Sequence, residues 1–237
     1  MAKRSGSHNI HFQNVAFRDN HPKVGYNNEC IVQSLQAAVM IFIDSSYFRG
    51  GDARLFQISG SDISLFIHNS SFVGHNVSEG YGSGAVLSLS GNNHPQQSIS
   101  LNVTNSSFVN NSADQCGAVN VKCVRACSTT FLDCNFIGNI AERGSGGAVC
   151  ISMVSKMYRS AYKVTHETTT NTELNETSRM AVPDALHVTI QRCTFFKNKA
   201  TLYNAGAVRI LAGSRTSIIV QEVTAESNWA TNFREQG

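Results

Sequence analysis

The chain has little charge and spreads it thinly. Asp, Glu, Lys and Arg make up 15% of its 237 residues, and the formal net charge is only +3. A nucleic-acid surface gathers Lys and Arg on one face with aromatics among them, and here the basic residues are scattered, so no nucleic-acid partner is expected. Long apolar runs are missing as well. None reaches the roughly 18 residues that a membrane-spanning helix needs, which argues against a membrane span in this chain. The opening Met1-Ala-Lys-Arg-Ser-Gly-Ser7 is positive, but no apolar stretch follows it, so it does not read as a secretory signal. Helical periodicity is absent throughout, and β-branched residues and glycine stand where helix formers would be required, which excludes an α-solenoid.

What is present is a repeat. Cys134-Asn-Phe-Ile-Gly-Asn-Ile-Ala141, followed by Gly146-Gly-Ala-Val149, returns as Cys193-Thr-Phe-Phe-Lys-Asn-Lys-Ala200 followed by Ala205-Gly-Ala-Val208. Ser106-Ser-Phe-Val-Asn-Asn-Ser-Ala113 with Cys116-Gly-Ala-Val119 is an earlier copy, and Ser70-Ser-Phe-Val-Gly-His75 with Ser83-Gly-Ala-Val86 a looser one. Aligned on the phenylalanine, the anchor column reads Phe17, Phe48, Phe72, Phe108, Phe136, Phe195 and Ala225. Five residues earlier stand Phe12, Ile43, Ile67, Val103, Phe131, Ile190 and Val220, and two earlier a small-residue column from Val15 through Ser46, Ser70 and Ser106 to Cys134, Cys193 and Val223. Apolar residues two apart with polar ones between are the signature of a strand with one face buried. Three after the anchor come Asn20, Gly51, His75, Asn111, Asn139, Asn198 and Asn228. An inward asparagine there can bond the backbone of its own bend, tolerate left-handed dihedrals and form an amide ladder with its copies.

Short strands, a bend at Asn and a second strand at Gly-Ala-Val predict an all-β fold, a parallel β-helix of about seven turns. Parallel connections favour the right-handed form. Stacked about 4.8 Å apart, seven rungs make a column roughly 29 Å tall. One coil cannot bury its apolar face alone, so neighbouring coils must stack. The pairing of Phe136-Ile-Gly-Asn139 with Gly146-Gly-Ala-Val149 resembles the repeat of the chlamydial polymorphic outer membrane proteins. Their β-helical passengers imply an extracellular, adhesive role and identify no active site. The first two repeats lack a recognisable Gly-Gly-Ala and join the alignment on the anchor column alone.

The expected domain is a single β-helix over 1–237, with 153–184 a long polar loop inserted between turns: its Thr168-Thr-Thr170 and Asn171-Thr-Glu-Leu-Asn-Glu-Thr177 run has no periodicity. No cap covers either end of the solenoid in the sequence, which reads as a piece of a longer protein. Among seven cysteines, Cys123 and Cys127 are the disulfide candidates for an exported chain. Cys134 and Cys193 share one inward column on adjacent turns, close enough for a disulfide, but parallel stacking points both side chains the same way, so they read as small buried side chains, interchangeable with the Ser and Val there. A zinc site lacks a second ligand pair at finger spacing. Six Asn-x-Ser/Thr triplets occur, close to chance for so many Asn, Ser and Thr; Asn175 and Asn102 are the glycosylation candidates, while Asn69 and Asn105 read equally as bend residues.

The outward columns hold little chemistry. Hydrolysis or lyase activity on a β-helix needs paired carboxylates or an acidic calcium cluster. The column four before the anchor offers only Asp44, beside His68 on the next turn. Asp133 and Glu222 share a bend column but stand two turns apart with Arg192 between them. The outward column of the Gly-Ala-Val strand, taken as Gln57, Leu87, Asn120, Cys150 and Arg209, has no acid. No catalytic residue, metal or cofactor is expected. Phe42 and Phe66, six before their anchors on consecutive turns, are the binding candidates for a carbohydrate or protein ligand, unless another part of the protein covers them. These observations favour a non-catalytic extracellular or cell-surface scaffold for adhesion or ligand binding. A β-helix polysaccharide lyase or glycoside hydrolase and a passive spacer are the alternatives.

Overall fold

Left-handed residues divide each repeat into short strands. The residue three before the anchor has positive φ in every copy: Asn14, Ser45, Asn69, Asn105, Asp133, Arg192 and Glu222 lie between 46° and 53°. Further left-handed residues fall two after the anchor, at Gly50, Gly74, Asn110, Gly138, Lys197 and Ser227. Asn, Asp and Gly enter this region most cheaply, and they fill more than half of these positions. A seven-residue strand therefore ends at the first bend and a three-residue strand links the two, as in Ser98–Thr104 followed by Ser107–Val109.

The structure, a computed structural model, describes residues 7–20, 30–35, 38–52, 54–77, 84–91, 97–153, 185–202, 205–213 and 215–231. Among them the strands form four parallel sheets. The first sheet stacks Ser7–Gln13, Ala38–Asp44, Asp62–His68, Ser98–Thr104, Ala126–Leu132, Ala185–Gln191 and Thr216–Gln221. The second stacks Ala16–Asn20, Tyr47–Gly51, Ser71–Val73, Ser107–Val109, Asn135–Ile137, Thr194–Phe196 and Thr224–Glu226. Two-residue strands from Asn76–Val77 to Trp229–Ala230 make the third. The fourth holds Cys30–Leu35, Arg54–Gly60, Leu87–Gly91, Val119–Cys123, Val149–Met153 and Val208–Leu211. Each ladder joins a residue to its counterpart in the next repeat, which makes the molecule a parallel β-helix. No helix among the described residues is long and apolar enough to cross a membrane.

The anchor phenylalanines pair in unbroken register from Phe17 to Phe195, with Ala225 after them. Their rings stack face to face, centroids 4.9–5.1 Å apart and planes within 16°. That spacing is close to the strand separation itself, so the ladder imposes the stack. Phe131 and Phe56 meet it edge-on, at 5.4 Å from Phe136 and 5.9 Å from Phe48. Phe56 also supplies the second turn's strand in the fourth sheet, where it pairs with Leu87, so the missing Gly-Gly-Ala does not remove that turn from the coil.

The asparagine column differs from the expectation. The left-handed residue is the one before it, and the buried amides bond neighbouring turns rather than their own. Asn139 Nδ2 donates to the Phe108 carbonyl at 2.9 Å and to Asn198 Oδ1 at 2.9 Å, while its own Oδ1 accepts the backbone N–H of Asn111 at 3.1 Å. Asn111, Asn198 and Asn228 each donate in the same way to the anchor carbonyl of the preceding turn. The small-residue column is equally specific. Ser70 Oγ donates to the His68 carbonyl at 2.7 Å and accepts the Ser46 N–H at 3.1 Å. The free, buried thiols of Cys134 and Cys193 donate to the corresponding Leu132 and Gln191 carbonyls at 3.3 and 3.2 Å, taking over the serine's role.

The earliest Gly-Ala-Val copy, Gly84-Ala85-Val86, is shifted by one residue. Leu87, not Val86, pairs with Val119, so Gly84 takes the place of the first glycine, Gly146. The outward column accordingly reads Gln57, Ser88, Asn120, Cys150 and Arg209, with Leu87 fully buried. The second glycine is required by close approach: a Cβ on Gly147 would collide with the carbonyl of Gly206 on the next turn. Disulfides join Cys123 to Cys127 (Cα–Cα 5.9 Å) and Cys116 to Cys150 (5.8 Å). The sequence reading left Cys116 and Cys150 unpaired. Residues 154–184, most of the expected loop, and Asn175 with them lie outside the described residues; the coil resumes at Ala185 in register with Ala126.

Candidate functional site

The outer face of the first sheet carries the binding candidates. Alternation on Ala38–Asp44 and Asp62–His68 turns Ile41, Ile43, Leu65 and Ile67 into the core and leaves Phe42 and Phe66 half-buried on the outside. The two pair across the ladder and stack at 4.9 Å with planes 9° apart. His11, on the preceding turn, extends the stack at 4.7 Å from Phe42. Sequence reasoning passed over His11, although it stands six residues before Phe17 in the same column.

Stacking has a consequence for recognition. Rings that lie face to face in a ladder cover one another, so Phe42 is sandwiched between its two neighbours. Phe66 is different. Its next partner in register is the exposed Asn102, which is not aromatic, so the column steps down and the outer side of the Phe66 ring has no aromatic cover. Beside this step runs the polar column Asp44, His68 and Thr104, and together these residues line a shallow hollow of about 200 Å³. One apolar ring face flanked by amide, carboxylate, imidazole and hydroxyl groups is an arrangement that can take the apolar face of a sugar ring and bond its hydroxyls.

The acidic and basic groups beside the step bond other partners. Asp44 and His68 pair on neighbouring turns, but His68 Nδ1 lies 2.8 Å from Thr104 Oγ1 and Asp44 Oδ1 accepts from Ser45 Oγ at 3.3 Å. Asp133 is engaged by a fork of two bonds, Arg192 Nε to Oδ1 at 2.7 Å and Nη2 to Oδ2 at 3.0 Å. The hydrogen bonds from Arg192 hold the Asp133 carboxyl below the usual carboxylate range. Among the described residues, no group of three His, Cys, Asp or Glu is placed to hold a metal ion. Asn69 and Asn105 are left-handed bend residues, tied to each other by a 3.2 Å amide bond. Asn102 stands exposed on the Ser98–Thr104 strand.

Comparison of the chain with protein-family models, with curated proteins and with solved structures returns no match.

Proposed function

We propose that this chain is a non-catalytic binding scaffold of an exported or surface-displayed protein, which holds a carbohydrate at the Phe66 step. The observation that carries the reading is the uncovered side of the Phe66 ring beside Asn102, Thr104, His68 and Asp44. Two disulfides support an oxidising compartment, since such bonds persist mainly outside the reducing cytosol. The likeness of the Phe-x-x-Asn and Gly-Gly-Ala-Val repeat to the polymorphic outer membrane proteins supports the same setting. The rigid ladder under the rings fixes their position before a ligand arrives, which lowers the ordering cost of binding.

Affinity electrophoresis of the folded chain through a series of neutral polysaccharides tests the proposal. Retardation by at least one of them, lost in Phe66→Ala and largely kept in Phe42→Ala, is the expected pattern. Retardation equal in all three proteins would move the site elsewhere. Capture of a polypeptide ligand by this face, with no polysaccharide retained, would replace the carbohydrate reading with a protein-binding one.

A further inference from the structure

A second hollow, on the outside of the fourth sheet, has a different character. It measures about 450 Å³ and lies over the strands Val119–Cys123, Val149–Met153 and Val208–Leu211. That volume is in the range of sites for small organic ligands. Three cations line it: Lys122 and Arg209 from the strands, and Arg143 from the turn ahead of Gly146. Among the described residues, Asp114 lies close, its carboxylate 3.6 Å from Arg143 Nε. The three lining side chains that carry charge are all positive.

Its floor is the Cys116–Cys150 disulfide and Asn120. Asn120 belongs to the outward column, with Ser88, Cys150 and Arg209 in register around it, yet is only 3% exposed. The Cys116 sulfur lies 3.5 Å from its Oδ1, and a disulfide sulfur has no proton to give. The Asn120 side chain is thus nearly buried and lines the hollow. An amide in the wall of a hollow can donate to a ligand acceptor group.

We propose that this hollow is an anion site, which binds a monosaccharide-sized sulfate or phosphate ester, its oxyanion held by Arg209, Lys122 and the Asn120 amide. A tetrahedral oxyanion offers several acceptors to donors converging from different strands, and charge-assisted bonds of this kind are roughly twice as strong as neutral ones. The disulfide holds the turn carrying Cys116 against the strand carrying Cys150, so the floor is set before binding. The site lies on a different sheet from the Phe66 step and does not depend on it.

Isothermal titration of the full, disulfide-intact chain with glucose 6-sulfate, glucose 6-phosphate, glucuronate and glucose provides the test. Saturable binding of the sulfate or the phosphate ester is expected, with glucose inert and the affinity falling as sodium chloride is raised. Whichever ester binds more tightly identifies the source of the oxyanion, and glucuronate binding as tightly as both would contradict the preference for a tetrahedral group. Arg209→Glu, at an exposed position, should weaken binding at least tenfold with an unchanged thermal melt. Asn120→Asp, which puts a negative charge in the floor, should weaken binding by at least as much. Phe66→Ala should leave the affinity as it was. Absence of saturable binding by both esters, or binding indifferent to Arg209→Glu, would overturn the assignment.

Discussion

One column of this coil is built in two ways. From Asn111 to Asn228, the position three after the anchor is an amide ladder in which Asn139, Asn198 and Asn228 each receive two N–H groups on Oδ1 and each Nδ2 serves a carbonyl of the preceding turn. Towards the other end the same column holds His75 and Gly51. The His75 backbone N–H still reaches Asn111 Oδ1 at 3.1 Å, but the imidazole, 1% exposed, makes no well-formed ring hydrogen bond among the described residues, with the Phe48 backbone carbonyl standing near it. Burial pushes its pKa down to about 4, offset in part by the nearby Phe48 backbone carbonyl. The contrast shows what the ladder demands: a side chain that donates twice and accepts twice in one plane. Histidine fills the volume, but a neutral imidazole has one donor and one acceptor and cannot continue the ladder.

The largest effect should come from a change that both ends of the coil would feel. Phe136 is fully buried between Phe108 and Phe195, each 4.9 Å away, so Phe136→Ala opens a cavity in a continuous stack. Denaturant unfolding should show a loss of about 3–5 kcal/mol; a loss below about 1 kcal/mol would mean the stack is not the core of the fold. Substitution within the ladder column separates its two halves. Asn139→Leu leaves the Asn111 N–H, the Phe108 carbonyl and Asn198 Oδ1 short of partners, a loss of about 3 kcal/mol. His75→Leu removes at most the ring's contact with the Phe48 carbonyl and should cost less. Equal losses at the two sites would erase the distinction.

Acid sharpens the same comparison. Because the folded pKa of His75 lies below its unfolded value of 6.5, the unfolded chain takes up the proton first as pH falls. The neutral ring's contribution is therefore complete above about pH 6.5 and is lost on going down towards pH 4, by up to about 3 kcal/mol. His75→Asn should flatten that pH dependence and, by continuing the ladder, add about 1 kcal/mol at pH 7. An unchanged acid profile in His75→Asn would assign the dependence to other groups. The smallest effect is expected at Cys134→Ser: Ser46, Ser70 and Ser106 already make the same bond in that column, so the change should stay within about 1 kcal/mol.

The inward half of this molecule was legible in the sequence because stacking forces like onto like. Phe over Phe and Asn over Asn repeat with the coil, and the anchor alignment gives the sheet register from Phe17 to Ala225 without error. Outward positions carry no such constraint. The Gly84-Ala85-Val86 triplet imitates Gly117-Ala118-Val119 but sits one residue out of step, so Leu87 looked exposed and Ser88 was missed. The Cys116–Cys150 bond was missed for a related reason. Its cysteines lie at different offsets of consecutive repeats, and only the folded coil brings those offsets together. The cations of the second hollow come from three separate repeats and no single column, so linear spacing could not gather them. Phe42 and Phe66 were visible as an aromatic pair; that stacking leaves only the outer side of Phe66 without a ring over it became apparent from the register with Asn102.

Whether this coil binds carbohydrate without altering it is tested most directly by following chain length and retention together. Neutral and acidic polysaccharides would be incubated with the purified chain, with and without calcium, and their length distribution measured after the bound fraction is recovered. Retention that depends on Phe66, with every polysaccharide recovered at its original length, is the predicted result. Depolymerisation that disappears in Asp44→Asn would contradict it and identify the first sheet's outer face as a catalytic surface.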